Sequence, residues 1–290
     1  MSRSKSGNPH RNSNNKEKRK AGKAFTKDDP HSRSNTGVRL STKQEPIRLN
    51  KFLSDAGICS RREADRLIES GQITVDGKRA EVGVVVLPHQ TVKMGRKVIR
   101  VAEELIVLAV HKPVGIVCTE ERRERNSIVR FLDYPTRITY MGRLDKDSRG
   151  LLLMTNSGDL VNQVMRGSHQ HEKEYKVTVN KEVTEDFLKQ MREGVHIVNV
   201  ENPKKLDQVT RPCEVEQIGK FTFRIVLTQG LNRQIRRMCE TLGYEVKDLC
   251  RERVMNIRLG HMKSGEYRRI VGHELEVLLK SLEGETQNRR

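Results

Sequence analysis

Two kinds of hydrophobic spacing alternate along the chain. Leu49, Phe52, Leu53 and Ala56 recur at three- and four-residue intervals, which predicts a helix over 47–57. Ser60-Arg61-Arg62-Glu63 has the form of a capping box. It predicts a second helix with Ala64, Leu67 and Ile68 on its apolar side and Gly71 at its end. Ile73-Thr74-Val75, the turn pair Asp76-Gly77, then Ala80 and Val82 read as a short hairpin. Past residue 104 the pattern becomes strand-rich. Leu105–Val110 and Leu151–Met154 are continuous apolar runs, Ile138–Met141 is an apolar-leaning one, and Tyr175–Val179 and Phe221–Leu227 alternate. Helical spacing falls between them at 126–132, 159–166, 184–192, 232–242 and 274–282. Strands interleaved with helices predict an α+β fold, a small N-terminal module followed by a larger domain with a mixed or antiparallel sheet and flanking helices. Residues 1–45 lack periodicity and are rich in Ser, Asn, Lys and Arg, so they are expected to be a disordered basic tail. The expected division is 1–45 tail, 46–104 small module, 105–283 larger domain and 284–290 polar tail. Residues 84–104 complete the module and lead into the larger domain.

Charge narrows the class of partner. The 290 residues carry a formal net charge of +18. Residues 1–45 hold 12 Lys or Arg against 4 Asp or Glu, so +10 remains on the other 245 residues. The folded part is basic in its own right, which favours nucleic acid. No apolar run approaches the ~18 residues of a membrane span. The polar, basic N-terminus has no apolar core of a secretory signal. Five widely spaced cysteines (59, 118, 213, 239 and 250) form no Cys-x-x-Cys pair, which suits free, mostly buried thiols in a reducing compartment. His169 and His171 lie close together without an evident third ligand, and no phosphate-cradling glycine loop is present. No metal or cofactor is expected. Five Tyr, six Phe and no Trp do not suit a broad base-stacking platform.

The richest stretch for chemistry is Gly142-Arg143-Leu144-Asp145-Lys146-Asp147-Ser148-Arg149-Gly150, a polar segment between two predicted strands. A loop between packed strands is rigid, yet it presents side chains outward. Flanking cations at Arg143 and Lys146 suit a carboxylate that acts as nucleophile or base. The residues alone leave Asp145 and Asp147 on equal footing for that task. This segment, with the Leu-rich run after it, resembles the catalytic motif of the RNA pseudouridine synthases. Three further motifs carry the resemblance in the same order: Lys112-Pro113-Val114-Gly115, Glu172-Lys173-Glu174-Tyr175, and Gly230-Leu231-Asn232-Arg233-Gln234-Ile235-Arg236-Arg237-Met238. The likeness covers roughly residues 47–280. It points to the bacterial RsuA family, whose members carry an S4-type RNA-binding domain in front, and the last motif is most like its F-type large-subunit branch.

The resemblance implies an isomerase that converts a specific uridine of structured RNA to pseudouridine, without a cofactor. The implied substrate is large-subunit ribosomal RNA, together with a transfer RNA anticodon stem-loop. The implied setting is a monomer in a bacterial cytoplasm, away from membranes. Asp145 is then the catalytic carboxylate, and Asp147 shapes the loop by bonding backbone amides. Arg143 fills the space left by a flipped base, Tyr175 packs on the target uracil, and Arg236 pairs with Asp145. Arg48, Lys51, Arg61, Arg62 and Arg66 of the S4-like module are expected on RNA phosphate, as are Arg233 and Arg237, whose i,i+4 spacing puts them on one helix face. A competing reading is a non-catalytic RNA-binding or ribosome-assembly protein on the same fold. The intact set Asp145, Tyr175 and Arg236 argues against it.

Overall fold

In the larger domain, neighbouring residues of the apolar runs go to opposite sides of one sheet. In the computed structural model, Val107 and Ala109 pack in one cluster while Leu108 and Val110 pack in another. Leu151 and Leu153 against Leu152 and Met154 divide in the same way. Both faces are therefore covered, which is why these runs carry no polar alternation. The structure describes residues 45–101, 104–121, 123–165, 171–199 and 206–287. The expected N-terminal tail thus lies almost wholly outside the described residues, as does His169.

The N-terminal module contains β1 (Ile47–Arg48), α1 (Leu49–Asp55), α2 (Arg61–Glu69), β2 (Ile73–Val75), β3 (Lys78–Arg79), β4 (Val85–Val86), β5 (Val92–Met94) and β6 (Lys97–Val98). The Ser60 hydroxyl accepts from Glu63 N–H at 3.3 Å, so α2 begins where the capping box predicts. Asp76 and Gly77 both have positive φ, as a tight two-residue hairpin turn requires. Leu49, Leu53, Ala64, Ile68, Ile73 and Val92 form a core of the module's own.

The larger domain continues with β7 (Val107–Lys112), α3 (Ile128–Leu132), β8 (Thr139–Met141), β9 (Arg149–Thr155), α4 (Gly158–Met165), β10 (Lys173–Val179), α5 (Glu185–Glu193), β11 (His196–Val198) and β12 (Asp207–Val209). It ends with β13 (Glu214–Gly219), β14 (Thr222–Leu227), α6 (Gln234–Thr241), β15 (Val246–Val254), β16 (Ile257–Arg258), β17 (Tyr267–Arg269) and α7 (Gly272–Gln287). Helix α7 thus continues past the expected boundary at 283. The main sheet runs in the order β13-β14-β10-β15-β9-β7-β17, with β8 beside β9 and β16 beside β15. Its pairs are antiparallel except for the parallel contact of β15 with β9, so the sheet is mixed, as expected. Helices α5 and α6 cover β10, β14 and β15 on one face, where Phe187, Met191, Ile235 and Met238 meet Val177 and Phe223. On the opposite face α4 and α7 cover β7 and β9 through Leu160, Val164, Leu275 and Leu278.

Candidate active site

The polar loop 142–148 lies at the start of β9, beside the end of β7. Gly150 makes this arrangement possible. It sits at φ +109°, and a Cβ there would fall 2.3 Å from the backbone oxygen of Arg251 on the adjoining strand. Only glycine lets β9 and β15 approach so closely.

The loop is held by its backbone. Gly115 N–H donates to Lys146 O at 2.8 Å, and Ser148 N–H closes a turn onto Asp145 O at 3.1 Å. Arg236 Nη2 donates to Asp147 O at 3.0 Å, and Leu144 N–H points at Cys118 Sγ at 3.5 Å. Arg251 Nη1 reaches Arg143 O at 3.5 Å, and its Nε donates to Leu151 O at 2.7 Å. Three buried cations, Lys112, Arg236 and Arg251, therefore lie under one short segment. Lys112 is completely buried and donates to Pro113 O and Ile116 O, both at 2.8 Å. Burial pushes its ammonium down to about 8, aided by nearby Arg251 and opposed by Cys118, Asp145 and Asp147. Lys173, which donates to His171 O, is pushed down to about 8 by burial and by Arg251.

With the backbone fixed from below and Leu144 and Ser148 buried, the charged side chains of the loop reach solvent. Asp145 is about one-third exposed and Asp147 more so. Arg143 and Lys146 are exposed. Tyr175 is half-buried on β10, packed between the cluster under α6 and the cluster behind β7. The carboxylates and exposed cations thus sit on one loop at this end of the sheet, and Tyr175 on β10 pairs with Arg251 of β15, which in turn pairs with Gly150 at the loop's end.

The structure corrects four expectations. Arg236 does not pair with Asp145. It is buried, and besides Asp147 O it donates to Val246 O at 3.3 Å, so it secures the loop's backbone and not its carboxylate. The cation facing the carboxylates is Arg233, whose Nη1 lies 3.9 Å from Asp145 Oδ2 and 3.7 Å from Asp147 Oδ2. Arg233 and Arg237 do not share a face. Arg233 caps the helix in the left-handed region at φ 51°, which takes it out of helical phase, whereas Arg237 bonds Val198 O and Asn232 Oδ1 at 3.1 Å each. The Asp147 side chain bonds no backbone amide among the described residues; its carbonyl, not its carboxylate, ties the loop down. Finally, Lys51 is not free for RNA, because its Nζ lies 2.6 Å from Asp55 and 2.9 Å from Asp159 at the start of α4. The other module cations, Arg48, Arg61, Arg62 and Arg66, are exposed. Arg251 escaped sequence reading altogether, since it stands in a charged strand outside every motif. The cysteines at 59, 118, 239 and 250 are buried, as expected, and Cys213 is half-buried. No cluster of His, Cys, Asp or Glu suited to a metal occurs among the described residues, and none of their helices is long and apolar enough to cross a membrane.

Comparison with known proteins settles the family. The family described as RNA pseudouridylate synthase matches residues 106–241, and the S4 domain matches 47–92. The dual-specificity RNA pseudouridine synthase RluF of Escherichia coli K12 is 51% identical over 239 residues, which cover 82% of this chain and 80% of that protein. The chain belongs to the RNA pseudouridine synthases. It carries an S4 domain ahead of the synthase domain, the arrangement of the RsuA family. Ribosomal large subunit pseudouridine synthase B of Bacillus subtilis is 34% identical, covering 80% of this chain and 95% of its own length. The higher identity to RluF agrees with an F-type member. A crystal structure of a pseudouridylate synthase superposes with a TM-score of 0.57 at 26% identity, covering 80% of this chain and 99% of that one. The protein is thus an RNA-modifying isomerase.

Proposed function

We propose that this enzyme isomerises a uridine in large-subunit ribosomal RNA and, as a second substrate, in a transfer RNA anticodon stem-loop, with Asp145 as the catalytic carboxylate. The reaction breaks the N1–C1′ bond and forms a C5–C1′ bond. The proton on C5 leaves and N1 gains one, so no atom or electron is lost overall. One carboxylate suffices, either by attacking the nucleotide or by accepting a proton during rearrangement. The observation that carries this reading is the geometry of loop 142–148. Its backbone is bonded from behind by Gly115, Arg236 and Arg251, while the Asp145 carboxylate remains accessible. Such fixed backing keeps a reacting group in place without reorganisation. Asp147 is more exposed and its carboxylate is bonded to no backbone amide, which suits the rim of the site better than its centre.

Arg143, exposed and adjoining Asp145, is suited to occupy the stack once the uridine has turned out. Tyr175 offers a ring face on which the uracil can lie. Arg233 bridges the two carboxylates and can turn to an RNA phosphate. Exposed Arg48, Arg61, Arg62 and Arg66 on the S4 domain suit phosphate contacts away from the reacting base. The names of two relatives, one dual-specificity and one of the large ribosomal subunit, support this choice of substrates. The test is incubation of the purified protein with unmodified large-subunit RNA and with transfer RNA transcripts, followed by mapping of pseudouridine. One site in each RNA is expected. Modification of neither would overturn the substrate assignment.

A further inference from the structure

A completely buried lysine next to the Asp145 loop backs a turn that carries one exposed apolar side chain. Residues 112–116 form a turn whose tip is Val114, 56% exposed. The turn is fixed at three points. Lys112 Nζ donates to Pro113 O and Ile116 O at 2.8 Å each, and Gly115 N–H donates to Lys146 O at 2.8 Å. Completely burying an ammonium is expensive, and here it serves to lock two carbonyls that flank Val114. The bond to Lys146 fixes the tip relative to the residue next to Asp145. An isolated exposed valine elsewhere on a protein calls for no explanation. This one stands on an immobilised turn that is bonded to the backbone of the loop carrying Arg143, Asp145 and Lys146.

We propose that Val114 is an apolar wedge that packs against the base adjoining the target uridine and helps hold the stack open while the uridine occupies the active site. This rests on the reading of Asp145 as the reacting carboxylate. The chemistry fits RNA and not a protein partner. One valine is too small an apolar patch to dock a protein, whereas a small apolar side chain can enter a single base step. Arg143 would fill the place of the departed base, and Val114 would support its neighbour. Val114 is therefore a positioning residue with no part in the bond-making steps.

The experiment compares wild type, Val114→Ser and Val114→Leu on two RNAs. One is the fragment carrying the uridine that wild type modifies. The other is identical except that the base next to that uridine is abasic. Because Val114 is exposed, both variants should unfold at the wild-type temperature. On the intact fragment Val114→Ser should lose about tenfold in kcat/KM, the loss equivalent to ~1.4 kcal/mol of transition-state stabilisation, and Val114→Leu should stay near wild type. On the abasic RNA the wild-type and serine enzymes should converge, since the base they differ in contacting is gone. A serine variant as fast as wild type on the intact fragment would overturn the wedge, and so would an undiminished ratio on the abasic RNA. Asp145→Asn separates the two readings. Turnover by that variant would remove the catalytic assignment, while the ratio between the Val114 enzymes would still report on the wedge.

Discussion

At the scale of single residues, the two arginines of the last motif have separate tasks. Arg236 is buried and bonds two backbone carbonyls, one of them in the Asp145 loop. Removing a charged donor from such a place leaves buried acceptors unsatisfied. Arg236→Ala should therefore lose about 2–4 kcal/mol of stability in chemical denaturation, together with most activity. Arg233 is over one-third exposed, and its pairs are long, so Arg233→Ala should change stability by less than about 1 kcal/mol while lowering activity. The reverse ranking would contradict this division of tasks between the two arginines. Lys112 offers a test by pH. Its folded value of about 8 lies below the ordinary 10.5. Between those values the unfolded chain binds a proton that the folded chain releases, so this residue's contribution to stability rises with pH across that window. The difference in unfolding free energy between wild type and Lys112→Met should widen in favour of wild type from pH 7.5 to 9.5. A difference independent of pH would mean that burial does not depress this lysine.

At the scale of elements, the sheet depends on the close approach of β9 and β15. Gly150→Ala adds a Cβ that meets Arg251 O at a backbone position with φ +109°. It should cost at least ~2 kcal/mol, read as a lowered denaturation midpoint. Near-wild-type stability would show that the two strands can separate freely. Strand β15 also marks where the sequence stopped being legible. β7, β9, β10 and β14 could be read from their apolar positions, because both faces or one face of each meet a core. β15 is Val-Lys-Asp-Leu-Cys-Arg-Glu-Arg-Val and shows neither pattern, although it lies centrally. Its charges are satisfied by distant partners: Asp248 by Arg149 at 2.7 Å, Arg253 by Glu174 at 2.9 Å, and Arg251 by Leu151 O. Partners about 80 to 100 residues away leave no local signal. β13 and β17, rich in charge at the sheet edges, were missed because they too show neither apolar pattern. In the site, the loop motif offered Asp145 and Arg143 as candidates, and the Glu172–Tyr175 motif offered Tyr175. The choice between Arg233 and Arg236 depended on a left-handed residue at the helix start, which no spacing rule anticipates.

At the scale of the molecule, the S4 domain and the synthase domain have separate cores. Leu49, Ile68 and Val92 belong to a core made within the S4 domain, whereas Leu105 and the strands after it belong to those of the synthase domain. The joining ion pair of Lys51 with Asp159 is partly exposed and worth little to folding. A chain lacking residues 1–104 should therefore fold cooperatively, yet modify its RNA poorly, since Arg48, Arg61, Arg62 and Arg66 go with the deleted part. Deleting only 1–44 should flatten the salt dependence of RNA binding, because fewer counterions are released, and leave the modified uridine unchanged. A shift of site after the smaller deletion, or an undiminished rate after the larger one, would contradict this division.

The central claim is that the carboxylate of Asp145 performs the isomerisation. Asp145→Asn keeps the size and polarity of the side chain and leaves the backbone bonds of the loop intact. Phosphate contacts dominate RNA affinity, so binding should stay within a few-fold of wild type. Pseudouridine mapped after prolonged incubation of this variant with the wild-type substrate should be absent. Full RNA binding with no pseudouridine is the predicted result, and turnover at a rate close to wild type would contradict it.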